Sequence, residues 1–291
     1  MIGAMYMILA TLCFSIAFTF VKLVSIHIGV METILFRSII TISIIFPYLC
    51  IKKIPVLGYP ENKKYLVIRG IFGSLAMICY FMSLKWASLP NAFTLHNSYP
   101  LFTTILAFYL LQEKVTWSKI GLIGIALLGI ILIIKPTHGI IKPSNLPALI
   151  SAVFISIAYI SIKFVSTREH PGSIIMSLNI GIFLLSLPIT IIYWVSPTVH
   201  QIQLIFGAGI LLTVAQFFLT ISYKKEEASF ISIFSFASIL WSIIISYFVF
   251  NAVPTLIEMV GILLILITMI SLVIIRAKEK VLYPRSTPCL K

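Results

Sequence analysis

The chain has 291 residues, 60% apolar and 10% charged, with a formal charge of +13 and no aspartate. Soluble domains are about half apolar and about one quarter charged, so this composition excludes a water-soluble globule, which would lack the polar surface to cover its core. The basic excess does not indicate nucleic acid, because it lies in short turns and the C-terminal tail, where positive charge flanks membrane spans.

Ten apolar runs follow one another, and the first five cover 3–25, 30–50, 66–86, 90–111 and 117–135. The second five cover 147–166, 173–195, 203–223, 228–250 and 256–276. Each is close to the ~20 residues that carry a helix across hydrocarbon. The stretch IGLIGIALLGIILII at 120–134 shows no alternation, which argues for helices and against a barrel. Residues 3–25 lack a basic leader and a small-residue cleavage site, and so read as a retained first span. The expected fold is an all-α integral membrane protein with ten transmembrane helices. With the N-terminus inside, the inner turns and tail hold sixteen of the 21 basic residues, Arg69 among them. The outer turns hold only Lys135 and Lys142, so both termini are expected in the cytoplasm.

Polar residues inside the runs are the candidates for function, since a mid-membrane charge costs about 2.5–3.5 kcal/mol on insertion scales. Lys22 closes span 1 and Lys85 closes span 3, where both can snorkel outward or form a positive vestibule. Span 2 carries Glu32 and, five residues deeper, Arg37, a spacing that turns them to different faces. Arg37 reads either as a lock between helices, through carbonyls or Glu32, or as a holder of an anionic group. Tyr80 lies in span 3 beside Cys79. Span 4 places His96, Asn97 and Tyr99 immediately before Pro100, which denies the His96 carbonyl its usual partner and bends the helix. Glu113 follows that span, where it can answer Lys114 or Lys119. Glycines 70, 73, 121, 124, 129 and 261 suggest close helix packing.

The sixth run repeats the first: SIAFTFVKLVS from residue 15 returns as SIAYISIKFVS from residue 156. Five spans per half put the second half into the membrane upside down, the arrangement of alternating-access carriers. The repeats are expected at 1–140 and 141–280, with a cytoplasmic tail at 281–291. Tyr159 answers Phe18, Asn179 in span 7 falls opposite Arg37, Gln216 lies in span 8 and Trp241 in span 9. Together with Tyr80, Asn97 and their neighbours these outline a central pocket for a small polar or amphipathic solute. Trp86, Trp194 and Tyr223 read as interfacial anchors. The chain lacks GxxxxGK[ST], GxSxG and HExxH, and its four cysteines lack metal-ligand spacing. No enzyme activity, metal or cofactor is expected. The expected partners are one small solute and membrane lipid, with the chain a monomer or homodimer; a non-transporting scaffold is the alternative.

The motifs ETILFRSIIT in span 2 and GSLAMICYFMSLKWASLPNAFTLHNSYPLFTTILAFYLLQEKVTWSKIGLIGIALLGIILIIKP across spans 3–5 resemble the EamA-type ten-helix members of the drug/metabolite transporter superfamily. Arg37, Pro100, Glu113 and Gly121 fall on that family's pattern. The resemblance implies an inner-membrane carrier of metabolites, such as an amino acid, a nucleoside-like compound or an S-adenosylmethionine-like solute. It also implies a central cavity, with spans 5 and 10 packed together away from the path. The second half departs from it: Ala237 stands opposite Pro100, so the halves have diverged and symmetrical gating is not expected.

Overall fold

A computed structural model describes residues 2–24, 28–86, 89–113, 115–134, 143–165, 168–250 and 255–282. The helices are α1 (Ile2–Val24), α2 (Val30–Ile51), α3 (Lys63–Trp86), α4 (Leu89–His96), α5 (Tyr99–Leu111) and α6 (Trp117–Ile134). They continue as α7 (Leu146–Val165), α8 (Pro171–Ile192), α9 (Val199–Lys225), α10 (Ala228–Phe234), α11 (Ala237–Phe250) and α12 (Leu256–Leu282). Nine helical stretches among the described residues are long and apolar enough to cross a membrane, and α4 with α5 makes a tenth traverse in two pieces. Residues 135–142, with Lys135 and Lys142, lie outside the described residues, as do the side chains of Lys22, Lys85 and Trp86.

Burial is inverted relative to a soluble protein. Large apolar side chains such as Phe248, Leu256, Ile191 and Ile192 face outward, while serines and threonines fill the interior. Lipid makes no hydrophobic distinction between leucine and its own tails, so small and hydroxyl residues settle where helices meet. This is a multi-pass membrane protein.

α1 packs along α9 and α3 along α7, α2 meets α8, and α6 packs on α12. Two crossings are too tight for any side chain. A Cβ on Gly129 of α6 would come within 2.8 Å of the Gly261 carbonyl of α12. A Cβ on Gly181 of α8 would come within 2.6 Å of the Gly70 carbonyl of α3. Gly121 and Gly124, expected to serve the same purpose, face open space with nothing within 4 Å. Gly129→Val should therefore destabilise the protein by about 1–3 kcal/mol through overpacking. Gly124→Val should leave the melting temperature nearly unchanged, and equal losses would contradict this packing.

Two traverses are broken. α4 and α5 part at Asn97 and Ser98, just ahead of Pro100, as the sequence leads one to expect. α10 and α11 part at Ser235 and Phe236, where the sequence has no proline. The cause is local. Ser232 and Ser235 each turn a hydroxyl back to the carbonyl three residues earlier, and Ser235, Phe236, Ser238 and Ile239 donate their N–H groups i→i−3. Such bonding competes with the α-helical ladder and tightens the chain into a 3₁₀ turn. The recurring serines of the sequence repeat meet these breaks. Ser15 of α1 donates to the Ser238 carbonyl at 3.1 Å, and Ser156 of α7 donates to the Tyr99 carbonyl at 2.9 Å. Each carbonyl sits in the first turn beyond a break.

Candidate functional site

α3 presents Arg69, Gly73, Met77 and Phe81 at four-residue spacing, which puts them on one face. Arg69 lies six residues into the helix, about 9 Å from its start. The glycine crossing at Gly70 holds α3 against α8 beside it. Counted in the sequence among the inner-turn charges, Arg69 is instead a buried residue of the bundle, 1% exposed. One terminal nitrogen donates to Gln216 Oε1 of α9 at 3.3 Å. The guanidinium also stands over the Tyr159 ring of α7, 5.4 Å from its centroid. Its Nε and Nη1 have no partner.

Arg37 of α2 is 6% exposed and touches only a soft acceptor, Met77 Sδ at 3.5 Å, while its Nε is unpartnered. Glu32, one of the alternative partners for Arg37, accepts the Val195 N–H with Oε2 at 3.2 Å. Arg37 lines a narrow apolar cleft with Phe18, Met77, Phe81, Gly209 and Leu212. This cleft lies toward the end of the bundle where α1 finishes and α2 begins. Leu212 and Gln216 are four residues apart on α9, and Met77 and Arg69 eight apart on α3. The same helix faces therefore lead from the cleft to Arg69.

Aromatic rings run onward from there. Tyr80 and His96 have centroids 4.3 Å apart, Tyr99 and Tyr159 5.5 Å, and Tyr159 and Tyr223 5.1 Å. His96 Nδ1 pairs with the Ser151 hydroxyl at 2.8 Å. Tyr223, taken from its position near a helix end for an interfacial anchor, is fully buried in this stack. Trp194 is half-exposed against Phe36, as an anchor would be.

The structure thus gathers Arg37, Tyr80, His96, Tyr99, Tyr159 and Gln216, and adds Arg69 and Tyr223. Asn97 and Asn179 instead donate to carbonyls of their own helices, those of Phe93 and Ile175, each at 2.8 Å. The Trp241 indole packs on the apolar core, its N–H buried without a partner. Among the described residues no group of three His, Cys or Glu side chains could hold a metal.

The end of the bundle where α1 begins is sealed by polar contacts. Glu169 accepts the Tyr59 N–H at 2.8 Å and the Asn62 amide at 2.9 Å, and its carbonyl takes Lys224 at 2.6 Å. Lys163 donates to the Glu226 carbonyl at 2.7 Å. Arg276 pairs with Glu227 at 2.9 Å, and Lys119 reaches the same carboxylate at 3.5 Å. His170 caps α8 by accepting the Gly172 N–H at 3.0 Å; burial, then the neighbouring Lys224, hold its imidazole below the ordinary histidine range. Glu113, expected to answer Lys114 or Lys119, takes the start of α10; Lys114 lies outside the described residues. It accepts from the Ala228 N–H at 2.7 Å, the Ser229 N–H at 3.0 Å and the Ser229 hydroxyl at 2.6 Å. Gln112, left-handed at φ 54°, closes α5 and swings Glu113 into this position.

A model of the EamA-like transporter family matches residues 1–135 and 143–274, and the chain belongs to that family. An uncharacterized transporter of Helicobacter pylori is 28% identical, covering 91% of this chain and 92% of its own. The pseudopaline exporter CntI of Pseudomonas aeruginosa is 26% identical over 93% and 95%. The S-adenosylmethionine uptake transporter of Rickettsia prowazekii is 27% identical over 65% and 64%. A solved crystal structure shares the fold with a TM-score of 0.81 at 17% identity, covering 95% of this chain and 98% of that one.

Proposed function

We propose that this small-molecule membrane transporter is a secondary carrier of a small polar or amphipathic metabolite, working by alternating access in the inner membrane. Its halves, 1–140 and 141–280, are two five-helix repeats of opposed orientation. Both termini and the tail at 281–291 lie in the cytoplasm, on the side that carries most of the basic charge.

The observation that carries this reading is the pairing of the two broken traverses. Each is interrupted once, and each is held in the first turn past its break by the recurring serine of the other half. Helix pairings follow the same exchange, α1 with α9 answering α7 with α3, and α2 with α9 answering α8 with α3. Discontinuous helices meeting at the repeat interface are where such carriers keep their solute. Sealing at the cytoplasmic end and a cleft at the other are what an outward-facing state requires. Two buried, acid-free guanidiniums would be an unexplained cost in a mere scaffold.

Relatives named as an exporter and as an uptake transporter mean that similarity assigns no direction. Flux into proteoliposomes tests the proposal against amino acids, nucleosides, S-adenosylmethionine and organic cations. One of these should enter saturably, and Arg37→Ala should cut the rate by about tenfold or more, the equivalent of one charge-assisted contact. If none moves through correctly folded protein, the carrier reading fails.

A further inference from the structure

No described acid in this chain pairs with the two central guanidiniums, although Glu32 Oε1 and Glu169 Oε2 are themselves buried without a partner. The sequence has eight acidic residues, all glutamate. Glu32 takes the Val195 N–H, Glu61 pairs with Arg168, Glu113 caps α10, and Glu169 holds Tyr59 and Asn62. Glu226 and Glu227 face Arg276, and Glu258 takes the Thr255 N–H. Glu279 belongs to the last turns of α12, and its side chain lies outside the described residues. Arg37 and Arg69 are thus positive charges inside the bundle with no carboxylate of the described chain beside them. Three of their nitrogens, Arg37 Nε and Arg69 Nε and Nη1, are buried and unpartnered.

A guanidinium stays charged in any protein setting, so burial cannot be relieved by loss of its proton. Its nitrogens look for oxyanions, and no described carboxylate supplies one. We propose that the transported solute supplies it: an organic carboxylate bound between Arg37 and Arg69, its body lying along Tyr159, Phe81 and Met77. This deepens the carrier reading and rests on it. Three unpartnered donor nitrogens suit the two oxygens of a carboxylate. The apolar and aromatic lining suits a carbon skeleton and not a free inorganic ion. Gln216 is the neutral neighbour that turns its oxygen toward Arg69 and so marks where the anion would approach.

That position allows a test that does not require the solute to be known. Gln216→Glu puts a carboxylate beside Arg69 and should raise the melting temperature of the purified empty protein by roughly 3–6 °C. The gain should vanish in an Arg69→Gln background. The same substitution should lower flux by about tenfold or more, because a tethered anion competes at high effective concentration. Melting is then followed with L-methionine against L-methioninamide, L-glutamate, inorganic phosphate, glucose 6-phosphate and potassium chloride. Stabilisation by a carboxylate and not by its amide supports the assignment. Stabilisation by phosphate or chloride alone overturns it, as does a Gln216→Glu protein that melts no higher than wild type. Saturable transport of a neutral or cationic solute that survives Arg69→Gln would overturn the carboxylate while leaving the carrier intact.

Discussion

Arg69→Met is expected to make the protein more stable and inactive in the same stroke. The guanidinium is buried to 1% exposure, with one hydrogen bond to a neutral amide, one aromatic face and two unpartnered nitrogens. Exchange of buried ionic groups for apolar side chains of similar volume is neutral or favourable by about 1–4 kcal/mol, because the charge no longer has to be desolvated. Methionine can follow the same path along α3 and pack on Tyr159. Thermal unfolding in detergent should therefore move upward while solute flux falls to background. A melting temperature several degrees below wild type would mean that Arg69 has a strong partner in the resting protein. Surplus stability gained by deleting a residue is the mark of a group kept for function.

Glu113→Ala should act in the opposite direction and strongly. Its carboxylate serves three donors at the start of α10, all buried, and it reaches them from the far side of the α5–α6 turn. The first N–H groups of any helix have no partner within the helix, and their aligned dipoles favour a negative charge there. Alanine would leave all three donors dry and unbonded, a loss of about 3–5 kcal/mol, the range for breaking a buried charged network from one side. Glu113→Gln, which keeps an accepting oxygen but not the charge, should lose about half as much. Thermal unfolding gives the magnitude. Amide exchange at 226–232 should accelerate in the alanine variant, and unchanged protection there would refute the capping role.

The spans were readable because a run of about 20 apolar residues has few other uses. Their limits in the structure differ from the expected ones by a few residues, most at α9 and α12, where helices continue past the hydrocarbon into charged turns. The inner site was read less completely, for identifiable reasons. Arg69 follows Lys63 and Lys64, which open α3, by only six and five residues, and a charge tally absorbs it. The clue was its neighbour Gly70, which announces a tight helix contact at that depth. Tyr223 stands near a helix end, yet lies seven residues from Gln216 and so on the same face, which placed it inside. The α10–α11 break has no proline to announce it. Serines at 229, 232, 235 and 238 recur every third residue, the period of a 3₁₀ helix. Asn97 and Asn179 show a different limit: an amide can donate to a carbonyl one turn back, and sequence does not say which way it turns.

The two interruptions look alike but differ in chemistry, and the difference has a mechanical result. A pyrrolidine ring can never supply the missing N–H, so the first joint is permanent and restoring helix there would cost about 3 kcal/mol or more. The second is held by serine hydroxyls, worth about 1 kcal/mol each, and every backbone N–H there is still present to rejoin a helix. On the carrier proposed above, one half would pivot on a fixed elbow and the other on a joint that can straighten and re-form. Unequal stiffness of this kind would make the serine side the first to yield, whichever way the solute travels.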